Sequence, residues 1–346
     1  MSALAKRQRT TKSRPTSTLI IGTHSGTFQA DEAMGVFLLR CLPLYHKSPV
    51  LRTRNTEELA PLPIVIDVGG VFDQKLLRFD HHQRTFNETF GDKFQIKLSA
   101  CGLVFKFYGR EIITSLFPQL ESEPDKVTYV YEKLYKGFIE GLDAIDNGIE
   151  VADKVRYREG TGLSQRVKLL NKRWNEPEGQ GGTEDERFEQ ASAMCGEDFL
   201  RQLDYIVESE MEARDYVEMA IGKRFEVDSS GEIISFANGG MPWKSHLYDL
   251  EKKHGIDGVI KFVLYTDQSG MWRVQAVTVE KTLFSNRVSL EADWRGVRDA
   301  ELAGKSGIAG SKFVHASGFI GGNESLEGAK QMALASIKNK KNHFEG

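Results

Sequence analysis

Residues 18–23 (TLIIGT) form a short apolar run, and residues 31–42 then repeat their apolar side chains at helical spacing. The run reads as a buried strand. Asp31 and Glu32 stand at the start of the following segment, where the helix dipole favours acidic groups. Strand, loop and helix in this order open an α/β unit. Residues 50–52 and 64–67 read as two further strands, the second ending in Asp67-Val-Gly-Gly. Parallel sheets of this class carry their chemistry at such carboxyl ends. Residues 99–117 and 126–149 are long and apolar-periodic, so two helices should cover the sheet. The expected fold class is α/β, with an N-terminal, mostly parallel sheet flanked by helices.

A chain of 346 residues exceeds the usual single core, which predicts two domains. Residues 171–187 lack periodicity and concentrate Gly, Pro and charge, which marks a loop or hinge. A helix is expected over residues 184–221, then strands at 224–227, 233–237, 259–265 and 272–277, and a last helix over 325–337 after the 313–323 segment. The organisation predicted is a basic tail (1–17), a catalytic domain (18–183), a helical connector (184–222) and a smaller α+β domain (223–346). The tail carries Lys6, Arg7, Arg9, Lys12 and Arg14 without an acid, as an import signal, a weak mitochondrial presequence or a solvated tail would. No apolar run approaches the roughly 20 residues needed to cross a bilayer. Cys41, Cys101 and Cys195 are isolated, which excludes a disulfide framework or zinc ribbon and fits a reducing, intracellular compartment.

Asp80-His81-His82 is the most informative triplet. His24 follows the first strand, Asp31 opens the first helix, Asp67 ends a later strand and Asp146 lies in an otherwise apolar helix, with Asp143 one turn earlier as a rival or supporting carboxylate. These placements direct imidazole and carboxylate donors at one sheet edge, with no thiolate among them. Such a set suits Mn²⁺ or Mg²⁺ over structural zinc. In the second half, Gly318, Gly321 and Gly322 permit close backbone approach to a phosphate, with His315 and Ser317 as donors. Trp243, Trp272 and Trp294 alternate with basic residues, as single-strand binding favours, but most of these aromatics are expected in the core, and Arg273 and Arg295 or Arg298 are the expected phosphate contacts.

His24-Ser-Gly-Thr-Phe-Gln-Ala-Asp31-Glu, Asp67-Val-Gly-Gly, Phe79-Asp80-His81-His82, Asp143-Ala-Ile-Asp146 and His315-Ala-Ser-Gly-Phe-Ile-Gly-Gly322 together resemble the melanocyte-proliferating-gene family of DHH phosphoesterases, over about residues 18–338. The resemblance implies a 3′-to-5′ RNA exonuclease of nucleus and mitochondrion, acting on single-stranded RNA or short oligonucleotides. It implies two cation sites: His24 and Asp67 around one, with Asp31, Asp67, His81 and Asp146 around the other. His82 would face the phosphate or leaving group, Asp80 would orient a histidine, and His315, Ser317, Gly321 and Gly322 would bind substrate. Gln29 and Asn323 stand where the family usually has His. An amide is a weaker ligand than imidazole, so the cation beside His24 is expected to be held loosely and Gln29→His to raise activity at limiting Mn²⁺. A pyrophosphate or small-nucleotide hydrolase, or an RNA-binding protein impaired by Gln29, are the competing expectations.

Overall fold

A computed structural model describes residues 19–236 and 239–344. The basic tail expected at residues 1–17 lies outside them. The chain divides into two compact units, one ending at Ile206 and one beginning at Val207.

The first unit is built on a sheet of β1 (Ile21–Thr23), β2 (Val50–Arg52), β3 (Ile64–Ile66), β4 (Phe72–Asp73) and β5 (Arg78–Phe79). Its spatial order is β2-β1-β3-β5-β4. All pairs are parallel except the edge pair of β4 with β5. Ile21 pairs with both Val50 and Ile64, and every residue of β1 and β3 is buried. That burial explains why these strands read as continuous apolar runs: a parallel sheet is covered on both faces. The β4–β5 ribbon was not anticipated. Two-residue strands are too short to show a period, and their turn depends on Leu77 adopting a φ of 55°.

The expected helices form as α1 (Ala30–Arg40), α2 (Ala100–Leu116), α3 (Pro124–Leu134), α4 (Glu140–Asp146) and α5 (Glu184–Tyr205). The stretch expected as one helix over 126–149 is split into α3 and α4 by a wide π-helical turn, Tyr135–Ile139. Helix α1 packs against both α2 and α5, so nine of its eleven residues are buried and its sequence is less amphipathic than that of a surface helix. Helix α5 begins where the loop signal ended, because the Thr183 hydroxyl accepts from the Glu186 N–H and the Glu186 carboxylate accepts from the Thr183 N–H. The α-helix expected to run to residue 221 stops at Tyr205, passes through a π-helical turn at Ile206–Glu210 and resumes as α6 (Ala213–Gly222).

The second unit carries β6 (Ile233–Phe236), β7 (Phe262–Thr266), β8 (Trp272–Ala276), β9 (Ser311–Val314) and β10 (Ile320–Asn323), in the order β6-β7-β8-β10-β9. Only the β6–β7 pair is parallel. Alternate residues feed two cores: Ile233, Phe262 and Leu264 face one, Ile234 and Val263 the other. Helices α7 (Lys244–His254) and α6 supply Leu247, Leu250, Val217 and Ile221 to the second core. Helix α9 (Leu326–Lys338), which follows α8 (Asp299–Ser306), supplies Ala329, Met332 and Ala333 to the first. The strand expected at 224–227 is instead one helical turn, Arg224–Val227. The Glu226 and Asp228 N–H groups donate to Lys223 and Arg224 carbonyls, so the backbone is satisfied locally and needs no sheet partner. Among the described residues, no helix is long and apolar enough to cross a membrane.

Candidate metal centre

Because β1, β3 and β5 run parallel and adjacent, the residues after their last positions emerge along one sheet edge. Those residues are His24, Asp67 and the Asp80-His81-His82 triplet. Asp67 adopts a φ of 55°, a left-handed backbone that costs most side chains about 1–2 kcal/mol and is least unfavourable for Asp or Asn.

Two donor groups meet at Asp67. On one side His24 Nε2 lies 3.0 Å from a Glu32 carboxylate oxygen and 3.3 Å from Asp67 Oδ2. On the other, His81 Nε2 lies 3.4 Å from Asp67 Oδ1 and 2.9 Å from Asp146 Oδ2. Asp31 joins His81 and Asp146, with all three donor atoms within 4.8 Å of one another. The five residues expected as ligands, His24, Asp31, Asp67, His81 and Asp146, are therefore gathered in one place. Glu32 was read only as a helix-dipole acid, and its role in this cluster was missed. Its spacing from Gln29 was the available signal: the Gln29 N–H donates to the Glu32 carboxylate at 2.9 Å, which turns that carboxylate inward. Gln29 itself is exposed.

The donor atoms fit a cation better than they fit each other. Octahedral ligands about 2.1 Å from one ion lie about 3 Å apart, close to the separations seen here. Asp67 Oδ1, Glu32 Oε2 and both His81 ring nitrogens are buried yet make no hydrogen bond, so His81 approaches its carboxylates at ligand spacing but not in hydrogen-bond alignment. For His24 to offer Nε2, its proton must sit on Nδ1, which faces the Ser25 carbonyl at 3.2 Å and the Arg54 guanidinium, a donor, at 3.1 Å. Burial alone would lower the pKa of His24, but Asp67 and Glu32 outweigh it and raise it to about 10. His81 is likewise lifted to about 10, against burial, by Asp146 and Asp67. Burial and the Asp67 and Asp146 charges push Asp31 well above the ordinary carboxylate range, although His81 and Ser99 act the other way. His24, His81 and Asp31 are thus held toward protonated forms that a divalent cation would displace, while the two imidazoles hold Asp67 below the usual carboxylate range despite its burial.

Asp80 does not enter the cluster. It accepts from the Gly70 N–H at 2.6 Å and from His82 Nδ1 at 2.7 Å, and these bonds hold its pKa at about 2 despite burial. His82, fixed in this way, keeps an exposed ring whose centre lies 4.4 Å from that of His81, tilted by 44°. Asp31 has a second set of partners: the N–H groups of Ala100 and Cys101 and the Ser99 hydroxyl all donate to it, so it caps α2. The same hydroxyl lies 2.6 Å from Asp143. One hydroxyl has one proton, so one of its two carboxyl contacts needs a proton from the acid, and burial raises both Asp31 and Asp143 toward holding one. Asp143 therefore supports Ser99 from behind the donor groups. Gly102 leaves room for this: a Cβ there would stand 2.2 Å from the Asp143 carboxylate. Gly→Ala inside a helix normally stabilises, but Gly102→Ala is expected to destabilise by about 1–3 kcal/mol through overpacking. A urea midpoint equal to or above that of the parent would contradict the packing described.

The second unit places the remaining expected residues as follows. His315 and Ser317 occupy the exposed β9–β10 turn, joined at 2.8 Å. Gly321 and Gly322 lie buried within β10; the space over Gly322 is filled by the Arg273 guanidinium, which pairs with Asp267 and lies 5.0 Å from the Phe313 ring centre. Arg295 lies against Gly318 and donates to the Leu290 carbonyl at 3.0 Å. Asn323 is buried, accepting from the Ser325 N–H and donating to the Ala309 carbonyl, which secures the start of α9. Trp243 and Trp294 are core residues.

The profile of the MYG1 exonuclease family, described as "Uncharacterised protein family (UPF0160)", matches residues 20–337. The mouse protein named MYG1 exonuclease is 46% identical over 324 residues, covering 92% of this chain and 84% of its own length. The human MYG1 exonuclease is 45% identical over 324 residues, covering 92% and 85%. The Dictyostelium discoideum MYG1 protein is 44% identical over 324 residues, covering 93% and 97%. A match across nearly the whole chain, at this identity and in organisms so far apart, leaves one assignment: the chain belongs to the MYG1 family.

Proposed function

We propose that this protein is a metal-dependent phosphodiester hydrolase of the DHH type that shortens single-stranded RNA from its 3′ end. The observation that carries the reading is Asp67, whose two carboxylate oxygens face separate imidazole donors at 3.3 and 3.4 Å. That is the arrangement of a bridging ligand. His24, Glu32 and Asp67 would hold one cation, and Asp31, Asp67, His81 and Asp146 the other, with Mn²⁺ or Mg²⁺ suited to so oxygen-rich a set. Such a pair lowers the pKa of a shared water and neutralises phosphoryl oxygens. His82, held through Nδ1 by Asp80, is left with an exposed ring able to protonate the leaving oxygen; Asp80 raises its pKa and so favours the protonated form. The exposed His315–Ser317 turn is assigned to substrate. The names of the mouse and human relatives support nuclease action.

End-labelled RNA tests the proposal. With Mn²⁺, a 5′-labelled strand should give a descending ladder while a 3′ label is released at once as a mononucleotide, and a chelator should abolish both. Phosphate release from pyrophosphate without RNA shortening would overturn the substrate, and chelator-resistant cleavage the metal mechanism.

A further inference from the structure

The loop between residues 169 and 183 spends several buried interactions to hold one side chain in solvent. Arg187, in the first turn of α5, donates to the carbonyls of Leu170 and Gln180 at 3.4 and 3.0 Å and pairs with the buried carboxylate of Glu176. Asn171 clamps the same loop to the backbone of Phe28 on both sides of its Cα, accepting from its N–H at 2.9 Å and donating to its carbonyl at 2.8 Å. Phe28 lies four residues after His24. The loop so anchored displays Trp174, which is 97% exposed. An indole left in water forgoes the burial that normally stabilises it. Lys172 and Arg173 precede it, both exposed, and together with residues 26–28 these residues line an open cavity of about 290 Å³. Its acidic wall residue, Glu184, lies 3.8 Å from Arg52.

We infer that Trp174 is a stacking platform for a nucleobase of a single strand led toward the donor groups, with Lys172 and Arg173 beside its phosphates. An exposed aromatic on an anchored loop, flanked by cations, is the arrangement that binds single strands, because every base offers a π-face. The inference rests on the nuclease reading above. Trp243 and Trp294 are buried and Trp272 is half-buried within β8, in keeping with their expected place in the core, which leaves Trp174 as the exposed indole.

Titration of the full chain in chelator, with oligouridine and with an abasic strand of equal length, tests it through tryptophan fluorescence. Oligouridine should quench the Trp174 emission, identified by subtracting the Trp174→Phe spectrum, and the abasic strand should not. Trp174→Ala should weaken oligouridine binding roughly tenfold, with Trp174→Phe recovering most of the affinity and neither changing the thermal midpoint. Parental affinity in Trp174→Ala, or equal quenching by the abasic strand, would overturn the inference. No metal or turnover enters the titration, so failure of stacking and failure of the hydrolase reading are seen separately.

Discussion

Asp67→Asn is expected to lower RNA cleavage by more than about 10²-fold, the upper end of what loss of a residue merely supporting a metal ligand costs. Asp67 turns one oxygen to His24 and the other to His81, so its charge is counted twice. Asparagine is the informative replacement. It tolerates the left-handed backbone at a φ of 55°, where alanine would add strain and confuse the outcome. The amide keeps one oxygen but removes the charge with which Asp67 would hold cations in the proposed site. In the parent, Mn²⁺ at about 100 times its dissociation constant should stabilise the fold by about 2.7 kcal/mol, seen as a raised thermal midpoint. The variant should lose most of that shift while its midpoint in chelator shows a folded protein. Full turnover, or an undiminished Mn²⁺ shift, would remove Asp67 from the bridging position.

Glu32→Gln is expected to move the Mn²⁺ dependence of cleavage at least tenfold toward higher metal and to reduce tightly bound Mn²⁺ from two ions per chain to one. The replacement preserves the cap, because a glutamine side chain still accepts from the Gln29 N–H. What changes is the charge 3.0 Å from His24. Gln29→His provides the contrast. From sequence alone it should tighten the site, yet residue 29 is exposed and Glu32 already lies beside His24, so its Mn²⁺ curve should stay near the parental one. A shift to lower metal in Gln29→His, with none in Glu32→Gln, would restore position 29 as the missing donor.

What sequence made legible here was whatever depends on long-range burial or strand direction. Strands β1 and β3 and helix α2 announce themselves by continuous or periodic apolar runs, and His24, Asp67 and His81 become neighbours once their strands are read as parallel. Glu32 escaped because its inward turn is made by a backbone N–H, which no residue type advertises. The π-helical turn at Tyr135–Ile139 escaped for a related reason: it lengthens the register by one residue without interrupting the apolar pattern. The Arg224–Val227 turn and the two-residue edge strands are simply shorter than any period. Trp174 sat inside a segment recognised as a loop, but exposure of a large aromatic is decided by its anchors, Asn171 and Arg187, and those act at a distance in sequence.

Asp31 serves two masters, as one face of a donor group and as the cap of α2, and the two duties decay differently over evolutionary time. A relative that had stopped cutting would still need a carboxylate to satisfy the Ala100 and Cys101 N–H groups and the Ser99 hydroxyl in the protein interior. Purifying selection would therefore keep Asp31 long after catalysis had gone. His81, whose ring faces the other donor carboxylates Asp67 and Asp146, has no such second employment and would drift. Across a lineage, the histidine and not the aspartate is the marker of a living enzyme.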